Sequence, residues 1–343
     1  MGIFCLTGDR EAGVDKRKGR KVIHDRELAT LWLPVIIQES ILPLSGSVKI
    51  AGREYVDGRG DVSVSVQGGV YRGKSLNLPS GAIARKLLHY LVSRSRETKS
   101  RRVDFHSVGD VLRNLGMAKS AQNIAKIKEQ IMLISRMTIT IDKYPHHDRS
   151  ILQSFPNIRI IKRLELQGME HSDQGSLFGS WIEFDTEFYE MISGLSYQPI
   201  NKDAYQALSW PLHIDAYLWI QRRAQSEQID PESHKEISWT RVYSQFGRGE
   251  QLSKFKKRFS NSIKAVDKVL RREPWDYTAD AMTKGRRGRP RRLIWTNDEG
   301  VCMRRIPRQA FTRDQLYKLD PEEYQEVKED GAEIREQGRL FDD

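Results

Sequence analysis

The sequence predicts an α+β fold in which one run of elements, helices closed by a β-hairpin, occurs twice. Three observations carry this. Leu252, Phe255, Phe259, Ile263, Val266 and Leu270 fall on one face of a helix, and Lys254, Lys257, Arg258, Asn261, Lys264, Lys268 and Arg272 fall on the opposite one. Short aromatic-rich runs at 275–278 and 293–295 flank a loop rich in Gly and Arg, the pattern of a hairpin. Three helical segments between residues 82 and 136 lead into strand-like runs at 137–141 and 158–166, so the order recurs without a residue-level repeat.

The elements follow from local pattern. Residues 7–27 are polar and charged and read as a flexible basic arm. Residues 28–44 are apolar without a clear period, which suits a helix or a buried strand pair. Val62, Val64 and Val66 alternate with serines, a strand with one buried face, and 71–78 is expected to pair with it. Ile83, Leu87, Leu88, Leu91 and Val92 share a face of a helix over 82–95, and 103–105 is a short strand. Ser107 stands as an N-cap before Val108, Val111, Leu112 and Leu115, with Gly116 as the stop. Ile124, Ile127, Ile131 and Ile134 make a third helix. Across from them, Lys119, Gln122, Asn123 and Lys126 are candidate DNA contacts. Residues 181–184 read as a strand and 187–192 as a short helix. The second set runs through 202–208, 212–224, 239–246 and the basic helix, which Pro274 ends.

A basic helix followed by a hairpin with a basic tip is the layout of a winged helix. The helix fits a major groove, and the wing can lie along phosphates or in a minor groove. The expected wing tip holds Lys284, Arg286, Arg287, Arg289, Arg291 and Arg292, six cations in nine residues. The expected organisation is an arm and variable region at 1–60, a first winged-helix domain at 61–197, a second at 198–305 and a polar, acidic tail at 306–343.

Charge agrees with a polyanionic partner. The 343-residue chain carries a net +11, although residues 320–343 hold ten acidic and three basic side chains. The two cysteines, Cys5 and Cys302, make neither a disulfide framework nor a Cys-rich zinc site. The start shows no secretory pattern, and the most apolar stretch is broken by Pro34, Gln38, Glu39 and Pro43, short of the ~20 residues of a spanning helix. The expectation is a cytoplasmic protein with no membrane partner.

Enzyme chemistry is not expected. Gly68, Gly73, Lys74 and Ser75 fit the phosphate-loop pattern G-x-x-x-x-G-K-S/T. That cradle needs a helix starting at the lysine, and Leu76, Asn77, Leu78 and Pro79 break one, so a hairpin turn is expected instead of an ATP site. His146 and His147 are adjacent and point apart on an extended segment, and the eight histidines show no ligand spacing. No cofactor, metal or catalytic group is predicted.

Two runs share the pattern Q-x-x-L-F: Gln174, Leu177 and Phe178, and Gln337, Leu340 and Phe341. It resembles the peptide that docks into the bacterial sliding clamp, Leu and Phe filling an apolar pocket and Gln anchoring its edge. An internal turn tucked into the core is the other reading of the first copy, and a disordered end that of the second.

Five runs carry a wider resemblance: LPSGAIARKLLHYL at 78–91, ETKSR at 97–101, SVGDVLRNLG at 107–116, WIEFDTEFY at 181–189 and WPLHIDAYLWIQRR at 210–223. Together they resemble plasmid replication initiators of the RepA/TrfA type, over roughly residues 76 to 297. Ala84 precedes Arg85 where similar proteins often have Pro. The resemblance implies a tandem winged-helix initiator that binds origin repeats (iterons) in double-stranded DNA, helps open an AT-rich segment to single strands, and recruits the replicative helicase and sliding clamp. The first domain would take the adjacent half-site or mediate self-association. A winged-helix transcriptional repressor or partition-type DNA-binding protein is the alternative.

Overall fold

The computed structural model describes residues 30–34, 42–44, 54–59, 62–105, 107–143, 152–166, 179–195, 197–226, 229, 233–247, 249–271, 292–304 and 306. The chain is mixed helix and sheet. Its central element is α1 (Gly81–Glu97), whose Ala84, Leu87, Leu88, Leu91 and Val92 are buried. Polar side chains on α1 are buried too, and each has partners. Ser93 and Trp32 exchange hydrogen bonds of 3.0 Å between the Ser93 hydroxyl and the Trp32 backbone. His89 Nδ1 lies 2.5 Å from the Tyr205 hydroxyl, and the Ser95 hydroxyl donates to the Ser100 carbonyl.

A first unit follows α1: β6 (Arg102–Phe105), α2 (Val108–Asn114), α3 (Ala121–Arg136), β9 (Ile161–Glu165) and β10 (Ser180–Phe184). The strands form an antiparallel sheet in the order β6-β10-β9. Ser107 and Ser120 cap α2 and α3, each hydroxyl accepting a backbone N–H three residues on, as expected of N-caps. The second unit repeats this order: α6 (Pro211–Ser226), β12 (Lys235–Ser238), α7 (Trp239–Phe246), α8 (Leu252–Leu270), β13 (Ile294–Thr296) and β14 (Gly300–Met303). Its sheet order is β12-β14-β13, the same strand arrangement.

Further strands complete the molecule. β2 (Glu54–Arg59), β3 (Val62–Gln67), β7 (Thr138–Lys143) and β8 (Gln153–Arg159) form one four-stranded sheet in that order. β4 (Val70–Tyr71) and β5 (Lys74–Ser75) make a small hairpin. β1 (Thr30–Pro34) pairs antiparallel with β11 (Tyr197–Asn201), which lies between the short helices α4 (Thr186–Ser193) and α5 (Lys202–Gln206).

Three expectations need correction. Residues 71–78 do not pair with β3: β3 sits between β2 and β7, and the chain after it folds back on itself as β4–β5. The alternating run after α3 does form a hairpin, β7–β8, but this joins β3 in the four-stranded sheet, and the first unit is closed by β9 and β10. Within 28–44, residues 30–34 form a strand and not a helix, and the described partner of that strand is the distant β11. That pairing buries Leu31 and Leu33, so part of the stretch assigned to an N-terminal arm belongs to the core, and the expected boundary at 197/198 falls inside β11.

The two units are joined by an ion pair. Arg85 on α1 and Asp215 on α6 are 2% and 4% exposed, with Nε 2.7 Å from Oδ1 and Nη2 3.1 Å from Oδ2. Arg85 also donates to the carbonyls of Leu42, Pro43 and Gly81. All five guanidinium N–H groups therefore have acceptors, the condition under which burying the charge is tolerable.

Lys86 makes a second link. Its ammonium donates to the carbonyl of Gln206 at 2.8 Å and to that of Leu115 at 3.4 Å, the ends of α5 and α2. Burial pulls its pKa from 10.5 down to about 8. Below about pH 8 the group is charged in both folded and unfolded chains, so its contribution is constant. Between about 8 and 10.5 the unfolded chain binds more protons, and stability rises with pH, by roughly 3 kcal/mol at most. Relative to Lys86→Met, the wild-type denaturant midpoint is expected to climb from pH 7.5 towards pH 10, read by urea titration at each pH. Parallel pH profiles would contradict this.

Candidate nucleic-acid interface

The basic helix predicted from the sequence is α8. It is seated by an aromatic cluster. Phe255 and Phe259 are fully buried and stacked at 5.4 Å, and Trp219, Trp239 and Phe246 meet Phe259 at 6.0, 6.5 and 5.0 Å. Ile263, Val266 and Leu270 continue that face. Each large side chain withdrawn from water contributes about 1.5–3 kcal/mol, enough to fix the rotation of the helix about its axis.

That rotation leaves Lys254, Lys257, Asn261, Lys264 and Lys268 exposed. Their spacing of three and four residues aligns them in one stripe along the helix. The stripe bears four positive charges around one amide, and α8 has no exposed acidic residue. Arg258 is not in the stripe. It is half-buried in an ion pair with Glu250 and lies 5.9 Å from the Phe255 ring centroid, so it braces the entry to α8. Arg272 lies outside the described residues.

The sole acid of α8, Asp267, was not singled out by its sequence pattern. It is buried, and its Oδ1 accepts the backbone N–H of Leu293 at 2.9 Å and of Ile294 at 3.3 Å, while Oδ2 pairs with Arg271 at 3.0 Å. One carboxylate thus ties the end of α8 to the start of β13. The legible signal was an acid on the apolar side of an otherwise basic helix. Asp267→Ala is expected to cost about 1–3 kcal/mol, because two buried donors lose their acceptor, while Asp267→Asn retains an acceptor and loses less. Urea denaturation of both variants checks this; equal stabilities would contradict it.

The described hairpin of the second unit is not the one expected as the wing. The described partner of β13 is β14, and the turn between them is Asn297, Asp298 and Glu299. Its tip is acidic and tied down. Asn297 Oδ1 accepts from the backbone N–H of Glu299 and Gly300, the Trp239 indole donates to the Asn297 carbonyl, and Lys256 Nζ reaches the Asp298 carbonyl at 3.4 Å. Gly300 is required by close approach, since a Cβ there would stand 2.0 Å from the Ile237 carbonyl oxygen. The run expected as the wing tip precedes this hairpin in the chain. Arg292 is exposed beside β13, and Lys284, Arg286, Arg287, Arg289 and Arg291 lie outside the described residues, as does 275–278.

The third helix of the first unit offers less. Lys119, Gln122 and Lys126 are exposed, but Glu129 is exposed one turn beyond Lys126. Asn123 is half-buried, and its side-chain amide donates to the Ala118 carbonyl at 2.8 Å, so it shapes the helix start. Gln174, Leu177 and Phe178, and Gln337, Leu340 and Phe341, lie outside the described residues. The phosphate-loop pattern falls on β4–β5, and the next helix begins at Gly81, so Lys74 is not at a helix start. No helix among the described residues is long and apolar enough to cross a membrane.

No protein-family model matches the chain, and no curated protein matches it. Two solved structures of domains 2 and 3 of RctB show a weak likeness, each with a TM-score of 0.43. They share 11% and 12% identity with this chain and cover 67% of it, and 83% and 82% of their own lengths.

Proposed function

We propose that the chain is a plasmid replication initiator of the RepA/TrfA type that binds repeated sites in double-stranded origin DNA through two winged-helix domains. The observation that carries the reading is the stripe Lys254, Lys257, Asn261, Lys264 and Lys268 on α8, held outward by the buried aromatic face. The element order and the first–third–second strand order of both sheets support the winged-helix assignment, in which the third helix reads the groove. The sequence runs resembling such initiators supply the replication role. In this reading α8 enters a major groove and the first unit takes the neighbouring half-site. The protein works by binding and not by covalent chemistry. The two Q-x-x-L-F runs are the proposed clamp ligands, and the replicative helicase is the further partner that the resemblance implies.

Footprinting on the DNA beside the chain's own gene tests the reading. The expected result is protection of direct repeats about 20 base pairs apart, two helical turns, with permanganate reactivity appearing in an adjacent AT-rich segment. A single protected palindrome at a promoter, with no opening, would favour a repressor and overturn the initiator assignment.

A further inference from the structure

The β4–β5 hairpin has no role in the reading above, yet its surface is unusual. Every residue from Val70 to Ser75 is exposed, and Val70 and Tyr71 are 59% and 37% exposed, large values for apolar side chains on so short an element. A hairpin of two-residue strands gains little stability of its own, but this one is rooted. A Cβ on Gly69 would lie 2.1 Å from the Arg136 carbonyl oxygen, so the backbone packs directly on the end of α3. The Leu76 N–H donates to the Gly69 carbonyl at 2.8 Å and closes the base. At the tip, Arg72 and Gly73 take φ values of 49° and 73°, the left-handed pair of a tight two-residue turn.

The charge is one-sided. The Arg72 and Arg136 guanidinium groups stand 5.3 and 5.7 Å from the Tyr71 ring centroid, and Lys74 lies directly across from Tyr71 in the ladder. No acidic residue occurs between Gly68 and Arg96. A guanidinium packed over an aromatic face keeps its N–H fork pointing outward, and that fork matches phosphate geometry. The location is also apt. The third helix of the first unit presents few cations along its length, and the hairpin adds Arg72 and Lys74 beside Arg136 at its C-terminal end.

We propose that the β4–β5 hairpin is a second nucleic-acid contact, in which Arg72, Lys74 and Arg136 hold backbone phosphates of duplex DNA while Val70 and Tyr71 pack against the sugar edge. This rests on the reading of the chain as a DNA-binding protein. The contact is independent of base sequence, because phosphate and sugar carry no sequence code. Its effect is to anchor the first unit on the duplex while α8 supplies discrimination.

The test is the salt dependence of binding to a mixed-sequence duplex of about 40 base pairs, long enough for both units at two helical turns each, followed by fluorescence anisotropy. Arg72→Asn, which tolerates the left-handed backbone, is combined with Lys74→Gln in the full chain. The slope of log affinity against log salt is expected to fall by about 1.8, so the affinity lost between about 50 and 200 mM salt shrinks about 12-fold. Tyr71→Ala should weaken binding at every salt concentration without changing the slope. Thermal unfolding identical to wild type establishes that the variants are folded. Lys257→Gln with Lys264→Gln is the parallel arm. If this arm lowers the slope and the hairpin variant does not, the hairpin proposal alone is overturned. If the hairpin variant lowers the slope and the α8 variant does not, the hairpin stands and α8 is the wrong site. No salt-dependent duplex binding by the wild type would overturn both.

Discussion

Asp215→Ala is expected to lower the free energy of unfolding by about 3–5 kcal/mol, the cost of leaving a buried charge without its counter-charge. Arg85 is 2% exposed and donates twice to Asp215. Removing the carboxylate takes away the counter-charge that Asp215 supplies to the guanidinium, at a site where both side chains are buried. The pair connects the opening helices of the two units, so the damage should spread to both. Urea unfolding followed by circular dichroism measures it. Arg85→Met with Asp215→Leu should recover part of the loss, since an apolar pair of similar volume needs no desolvation of charge, while the Leu42, Pro43 and Gly81 carbonyls lose the donors that Arg85 gave them. A single mutant as stable as wild type would mean that the contact does not hold the units together.

The second large effect concerns binding. Replacing Lys254, Lys257, Lys264 and Lys268 together by Gln keeps the helix propensity and the buried face, and removes four exposed charges. If each lysine neutralises one phosphate, the salt slope falls by about 3.6 and non-specific duplex affinity drops by orders of magnitude at low salt. Thermal stability should change little, because like charges at helical spacing repel one another by only a few tenths of a kcal/mol. Unchanged affinity and slope would place the DNA contact away from α8.

The parts of the fold legible in the sequence were those written locally. The apolar face of α8 was evident because Phe255, Phe259, Ile263, Val266 and Leu270 repeat at helical spacing. Ser107 and Gly116 bounded α2 by their own chemistry, the first as a side-chain acceptor and the second at φ +67°. Contacts between distant residues had no such signal. Trp32 meets Pro199 across β1 and β11, and Arg85 meets Asp215 across 130 residues. Taken singly, Trp32, Pro199, Arg85 and Asp215 carry no mark of the partner each one meets. The described hairpin of the second unit was not read from the sequence for a different reason. The expected strand at 293–295 is found at Ile294–Thr296, but the turn that closes it is the asparagine-to-glycine run Asn297 to Gly300, whose Asx bonds are ordinary turn chemistry. The Gly- and Arg-rich run before it had the composition of a loop and a stronger charge. In the basic face, charge pattern alone could not separate Arg258 from its lysine neighbours. Glu250 makes the difference, and it acts from the turn before the helix.

The central claim is that α8 reads base sequence and does not merely rest on phosphates. Asn261 is the side chain that decides it, exposed midway along the stripe between Lys257 and Lys264. An amide there can pair bidentately with adenine in the major groove. The direct measurement is the affinity of wild type and Asn261→Ala for the duplex selected by the wild-type protein from a random pool, and for the unselected pool itself. The account predicts a loss of about 1–3 kcal/mol on the selected duplex, almost none on the pool, and relaxed preference at one base position. Equal losses on both, or no loss on either, would show that this helix does not read the sequence.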